Sequence, residues 1–195
     1  MGGVHDRLDN GGALRLEGLA DRGGEFLRPA DAHGGRAEVV LRRCEFLRAA
    51  GDAIDFDFSS GAIEGCRFES ARNDALDLMS SSPRIVGNHL VGSGDKGISI
   101  GERSDPLIFA NRIESCTRGI EVKDGSRPLL LHNEIRGSGI GILQQVKNWR
   151  YGGGGWASLY YTDVSGNEVD YQADDRSRLT LYESRIGQQI GRAHV

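Results

Sequence analysis

The chain has 195 residues, with 24 Lys and Arg against 28 Asp and Glu, a net charge of -4, and 29 glycines, about twice the usual glycine share. That length fits one domain, and the acidic balance argues against a nucleic-acid partner, which would need a basic face. No apolar run approaches the roughly 18 residues that span a bilayer, and three cysteines (Cys44, Cys66 and Cys116) are too few for a disulfide framework and lack zinc-ligand spacing.

The first residues, MGGVHDRLDNGG, show no basic stretch followed by an apolar one, so they carry no signal-peptide pattern. Residues 1–35 are expected to form an irregular N-terminal coil or cap. From residue 36 a repeat sets in. Leu41, Cys44 and Phe46 return as Ile63, Cys66 and Phe68, then as Ile85, Asn88 and Leu90, as Ile108, Asn111 and Ile113, and as Leu130, Asn133 and Ile135. After a longer interval come Leu159, Thr162 and Val164, and finally Leu181, Ser184 and Ile186. Steps along the Cys/Asn column are 22, 22, 23, 22, 29 and 22 residues. A second apolar column runs Ile54, Leu76, Ile98, Ile120 and Ile142, with Phe56, Leu78, Ile100 and Val122 two residues further on.

Apolar residues two apart mark strands, and Gly, Asn, Asp and Ser cluster between them as turns. Each repeat therefore carries at least two short strands, and stacking such coils buries a continuous core. An Asn column at a bend lets stacked amides hydrogen-bond to one another and to the turn backbone. Cys44 and Cys66 occupy that same column as buried thiols, although a disulfide between stacked coils stays open. The leucine-rich repeat shares the L-x-x-N-x-L half and a compatible period. Its second half would be Leu-rich and helical or extended, whereas here Gly-Ile-Ser-Ile flanked by Asp and Gly reads as a second strand. The final residues, Ile190 to Val195, break the period and match a translated sequencing adapter. They are expected to be a non-native tail on a metagenomic gene fragment whose native sequence stops near Gln189 and continues in a longer parent protein.

Three segments carry a family resemblance: Ile85–Leu90 (IVGNHL), Ile108–Ile113 (IFANRI) and Leu130–Ile135 (LLHNEI), each followed by a G-I-x-I-like strand. They resemble the right-handed parallel β-helix repeat proteins of the pectate-lyase-like superfamily, over residues 36–189. The resemblance implies an all-β solenoid with coils of about 22 residues, and an extracellular or cell-envelope protein that binds or cleaves a polysaccharide along an outer sheet face. Departures from the family are also visible: there is no N-T-D with a following D-D and G-H-G, no D-P-H-E, and no arginine in a pectate-lyase context.

Candidate chemistry sits beside the second-strand column. Alternation puts Asp55, Asp77, Ser99 and Glu121 in one outward file, with Asp52, Asp57 and Asp74 close by. Stacked carboxylates repel one another and raise each other's pKa unless a cation bridges them, so Asp55, Asp57 and Asp77 form a candidate Ca²⁺ site, the only cofactor anticipated. Asp55, Asp77 and Lys96 are the candidate catalytic set for a lyase or hydrolase, with Arg118, Glu121 and Lys123 contacting an acidic glycan. The plain alternative is a solvated face salt-bridged between coils.

A second candidate is the insertion that lengthens one repeat by about seven residues and carries Trp149, Arg150, Tyr151 and Trp156. It is expected to project as a loop whose aromatics stack on sugars while Arg150 pairs with a uronate; the alternative folds both Trp side chains back onto the solenoid. A third feature is an outward apolar file of Val86, Phe109, Leu131, Tyr160 and Tyr182, which suits a flanking domain or protein contact. His89 and His132 read as surface histidines. The leading expectation is a module that binds a polysaccharide, in particular an acidic one, on its charged sheet face. The alternatives are a polysaccharide lyase or glycoside hydrolase, and a structural spacer or protein-contact module.

Overall fold

Each coil of the chain is closed by three short strands, within the expectation of at least two. The computed structural model describes residues 38–187 fully, together with the backbone of strands Val4–Arg7, Ala13–Leu16, Leu19–Ala20, Glu25–Leu27 and Gln189–Ile190. Residues 191–195 of the anticipated tail lie outside the described residues, as do the loops of the anticipated cap.

The strands form three sheets, of nine, eight and eight strands, and neighbouring strands of a sheet come from successive coils. In sheet 1 the parallel strands are Ile54–Asp57, Leu76–Met79, Lys96–Gly101, Arg118–Lys123, Ile140–Gln145 and Val169–Ala173. Sheet 2 holds Glu38–Arg42, Ser60–Glu64, Arg84–Val86, Leu107–Phe109, Leu129–Leu131, Trp156–Tyr160 and Arg178–Tyr182. Sheet 3 holds Glu45–Leu47, Arg67–Glu69, His89–Val91, Arg112–Glu114, Glu134–Arg136, Asp163–Val164 and Arg185–Ile186. The result is a parallel β-solenoid of about seven turns, with a single short 3-10 helix at Trp149–Tyr151 among the described residues. At the N-terminal end the pairing reverses: Ala13–Leu16 runs antiparallel to Ile54–Asp57, Glu25–Leu27 to Glu38–Arg42, and Leu19–Ala20 to Glu45–Leu47.

The register reproduces the columns read from the sequence. Leu76 pairs with Ile54 and Ile98, Ile98 with Ile120, and Ile120 with Ile142. These side chains are fully buried, as are Leu41, Ile63, Ile85, Ile108, Leu130 and Leu159 of sheet 2. Stacking equivalent residues brings Phe46 onto Phe68, with ring centroids 4.8 Å apart and planes within 3°. The three cysteines are free, buried thiols, and burial pushes the Cys66 thiol up to about 12.

The segment read as a first strand is split in two by a sharp corner. One residue per coil there is left-handed: Arg43, Gly65, Gly87, Ala110, His132, Tyr161 and Glu183, with φ between 44° and 62°. The Cys/Asn column follows it directly. Asn88, Asn111 and Asn133 point inward and are each 2% exposed. The Oδ1 of Asn111 accepts from the backbone N–H of Asn88 and from its Nδ2, both at 2.9 Å, while Asn111 Nδ2 donates to Ile85 O at 2.8 Å. The corner after sheet 1 uses hydroxyls in the same way: Ser59 N–H donates to Ser81 Oγ at 2.9 Å, and Ser81 N–H to Ser104 Oγ at 3.0 Å.

The left-handed corner makes Ala110→Gly a stabilising substitution. A left-handed alanine costs about 1 kcal/mol, and the extra freedom of glycine in the unfolded chain offsets part of the relief. Ala110 is exposed and its φ is 53°, so no packing is lost. A net gain of about 0.5 kcal/mol, read as a thermal midpoint raised by one or two degrees, is the expected result.

Candidate functional site

The outer face of sheet 1 is built by alternation. Ile54, Phe56, Leu76 and Leu78 face the core, so Asp55, Asp57 and Asp77 face outward. The anticipated file is present: Asp77 is in register with Asp55 and with Ser99, and Ser99 with Glu121. On its open side the antiparallel strand sets Arg15 in register with Asp55.

This face divides into two unlike halves. In the first, burial, followed by the charges of Asp57 and Asp77, pushes the Asp55 carboxyl up to about 7. Asp57 is also raised, again chiefly by burial. Asp55 therefore keeps its proton much closer to neutral pH than an ordinary carboxylate does. Among the described residues no group of three or more His, Cys, Asp or Glu side chains could hold a metal ion. In the second half the charges close on each other. Lys96 is 5% exposed; its Nζ donates to Asp95 Oδ2 at 2.6 Å and to both oxygens of Asp74 at 3.2 Å. Lys123 crosses over Gly101, where a Cβ would lie 2.7 Å from its Cε, and donates to Ser99 Oγ at 2.6 Å. Glu121 is 1% exposed and accepts from Gln145 Nε2 at 2.6 Å, while Arg118 is bonded to Asp95. The anticipated catalytic Lys96 and the anticipated contacts Arg118, Glu121 and Lys123 are thus brought together, but as an ion-pair network already satisfied.

The insertion forms a different site. It leaves sheet 1 after Gln145 and returns at Trp156, pinned on the way. Asp124 Oδ1 accepts from the backbone N–H groups of Lys147 at 2.8 Å and Asn148 at 2.7 Å, and Gly125 N–H donates to Gly154 O at 3.0 Å. The tetraglycine is needed where it touches the coils: a Cβ on Gly154 would lie 2.0 Å from Ser177 Oγ, and one on Gly155 2.4 Å from Val122 O. Beneath the insertion lies a cavity of about 430 Å³, lined among others by Arg103, Asp105, Arg127, Tyr151, Gly152 and Trp156.

Trp156 starts a strand of sheet 2, and its register partner is Arg178. The guanidinium of Arg127 lies 4.5 Å from the Trp156 ring centroid and that of Arg178 5.4 Å, an Arg–Trp–Arg column across three coils. Arg103, Arg127, Arg150 and Arg178 make no ion pair among the described residues. Three arginines of sheet 3 differ: Arg67 is bonded to Glu69 at 2.8 Å, Arg112 to Glu114 at 2.7 Å and Arg136 to Asp163 at 2.9 Å. Trp149 is 75% exposed, with Arg150 placed over its ring at 5.9 Å, and Trp156 is 39% exposed. Neither indole is folded into the core.

Reading by residue type missed Arg103, Arg127 and Arg178. Their signal was positional: Arg127, Trp156 and Arg178 each lie three residues before the repeat leucines Leu130, Leu159 and Leu181. The outward apolar file is in register as anticipated, Val86 with Phe109, Leu131, Tyr160 and Tyr182 in turn. Beside it, at the left-handed corner, His132 stacks on Tyr161 with centroids 5.0 Å apart, and Tyr161 meets Tyr182 edge-on at 5.7 Å.

A family model described as a right handed beta helix region matches residues 32–149, more than half of the chain. No curated protein and no solved structure matches it. No helix among the described residues is long and apolar enough to cross a membrane.

Proposed function

We propose that this chain, which belongs to the right-handed β-helix family, is a glycan-binding module that takes an acidic saccharide in the cavity beneath its insertion. The observation that carries this reading is the Arg127–Trp156–Arg178 column, with its guanidinium groups unpaired by any carboxylate among the described residues. A guanidinium is a planar fork that fits a carboxylate, and the indole between the two arginines fixes their planes before ligand arrives. Tyr151 and the Trp156 ring supply flat surface for the sugar.

The face of sheet 1 suits a polyanion less well. Its free charges are acidic, and its cations Lys96, Arg118 and Lys123 are bonded to Asp74, Asp95, Ser99 and Glu121. One observation favours a second, enzymatic reading on that face. Asp55, raised to about 7 beside Asp57, is an acid next to a candidate base, as a lyase or hydrolase needs.

Titration calorimetry with galacturonate oligomers separates the two. Arg127→Ala removes charge-assisted hydrogen bonds of about 1.5–3 kcal/mol, so affinity is expected to fall about tenfold or more. Asp55→Asn is expected to leave binding unchanged. Unchanged binding in Arg127→Ala would sink the cavity reading. Product release that stops in Asp55→Asn would establish the enzymatic one, and loss of binding in chelator would move the site to Asp55, Asp57 and Asp77.

A further inference from the structure

We infer that the corner between sheets 2 and 3, at Tyr161, Tyr182 and Glu183, is a binding site for a methylated ammonium group of the kind choline carries. The site shares no lining residue with the cavity beneath the insertion and stands independently of it.

The site grows out of the left-handed corner file. Successive coils place Ala110, His132, Tyr161 and Glu183 there. Tyr160 pairs with Tyr182, so Glu183 is the rung that follows Tyr161. His132 stacks on Tyr161 with planes within 8° and takes one face of that ring. Phe109 braces the stack from the coil before, its ring meeting His132 at 83° and 5.9 Å. Beyond Tyr161 the file holds a carboxylate where a third ring would continue the stack. Tyr182, from the neighbouring outward file, stands at 83° to Tyr161 with its centroid 5.7 Å away. Two rings at right angles and one acid thus meet at a single point of the surface. Tyr161 is 44% and Tyr182 50% exposed, so the corner is open to solvent.

Charge selects the occupant. Glu183 is exposed and makes no ion pair among the described residues. Partial burial raises the Tyr161 phenol, and the Glu183 charge raises it further, so the carboxylate lies within electrostatic reach of the ring. The face of a tyrosine ring attracts a cation within about 6 Å of its centroid. Elsewhere the chain fills such positions itself: among the described residues the cations placed over rings are arginines at Trp149 and Trp156, and none covers Tyr161 or Tyr182. Arg185, the next cation along the chain, lies in sheet 3 in register with Asp163. A methylated ammonium suits this corner better than a bare one. A primary ammonium is strongly hydrated and brings three donors, for which the corner offers one carboxylate. Methyl groups remove those donors, keep the charge and pack against the two rings.

The test uses the full chain and choline, with binding followed by nuclear magnetic resonance of the N-methyl protons. Dimethylbutanol, in which carbon replaces the charged nitrogen, and ethanolamine, the unmethylated amine, are the comparisons. Choline is expected to bind with a dissociation constant on the order of a millimolar, and the other two at least about fivefold more weakly. Tyr161→Ala is expected to weaken choline at least about fivefold. The same left-handed corner already accepts alanine at Ala110. Glu183→Gln keeps the shape and removes the charge. It is expected to weaken choline about three- to fivefold and to leave dimethylbutanol unchanged, and its exposed position keeps the test valid if Tyr161→Ala fails to fold. Choline is also a lipid headgroup, and co-sedimentation with phosphatidylcholine vesicles separates the two sources. Capture that Glu183→Gln reduces assigns the headgroup, whereas choline binding without capture assigns a free solute. Dimethylbutanol binding as tightly as choline overturns the assignment of a cation. No choline binding at tens of millimolar, or binding indifferent to both variants, overturns the site.

Discussion

Asn111→Ala is expected to destabilise the protein by about 3–5 kcal/mol. Asn111 is 2% exposed and sits in the middle of the amide ladder. Its loss strips Asn88 N–H and Ile85 O of the partners they hold at 2.9 and 2.8 Å. Each orphaned buried group costs about 1–3 kcal/mol, and the missing side-chain volume adds to it. Thermal unfolding should fall by about 10 °C for a chain of this size. The chain supplies a control for the mechanism. Two coils earlier the same position is Cys66, whose Sγ accepts from Cys44 N–H at 3.4 Å. Asn111→Cys should therefore cost less than Asn111→Ala, because a weak acceptor replaces a strong one. Asn111→Leu, larger but with no acceptor, should cost about as much as alanine. If leucine restores stability and cysteine does not, the column is held by packing rather than by its amides.

This ladder was legible in the sequence because it depends on residue type at a fixed period. Only an amide can accept from one coil and donate to another, so Asn88, Asn111 and Asn133 recur where the bend recurs. The Asp55–Asp77–Ser99–Glu121 file was legible for a related reason, since alternation places it once the Ile column is known.

The division of one anticipated strand into strands of sheets 2 and 3 was not legible. The corner needs a left-handed residue, and the chain fills it with Arg, Gly, Ala, His, Tyr and Glu, which share no pattern. The aromatic stack of His132 and Tyr161 was hidden with it, because the corner, and no periodicity, sets the direction of those side chains. The site was legible only in part. Trp149, Arg150, Tyr151 and Trp156 stand out in an insertion, whereas Arg127 and Arg178 join Trp156 only when the register is carried across the 29-residue step. Lys96 gave no sign of being buried. Pairing runs from Lys96 with Arg118 to Ile98 with Ile120. Between them a Cβ on Gly97 would meet Gly119 O at 2.6 Å, a close approach that residue type alone does not reveal.

Lys96→Met should produce the second large effect, a loss of about 3–5 kcal/mol at pH 7 to 8 that shrinks on acidification. Its ammonium lies among Asp74, Asp95 and Glu121, with Asp74 2% and Glu121 1% exposed, so truncation leaves buried carboxylates without their cation. Glu121 keeps Lys123 at 3.4 Å and Gln145 at 2.6 Å; Asp74 keeps only the backbone N–H of residue 96, at 3.0 Å. Burial has already raised the Asp74 carboxyl to about 6 even with Lys96 in place. A carboxyl whose folded pKa lies above its unfolded value penalises the fold when charged, and the penalty is relieved as pH falls through the folded value. Asp74 in the variant, raised further above about 6 by loss of the cation, therefore takes up its proton at a higher pH than in the native chain and recovers much of the lost stability as pH falls. Lys96 itself is held above the ordinary lysine value: burial opposes its charge, and Asp95, Asp74 and Glu121 outweigh that. Its contribution to the native chain is thus complete at neutral pH and lost only under alkaline conditions. The gap between the native chain and Lys96→Met should be widest from about pH 7 to 9 and narrow towards pH 5, measured by denaturant unfolding at each pH. A gap of constant size would show that lost packing of the lysine stem, rather than the uncompensated carboxylates, accounts for the damage.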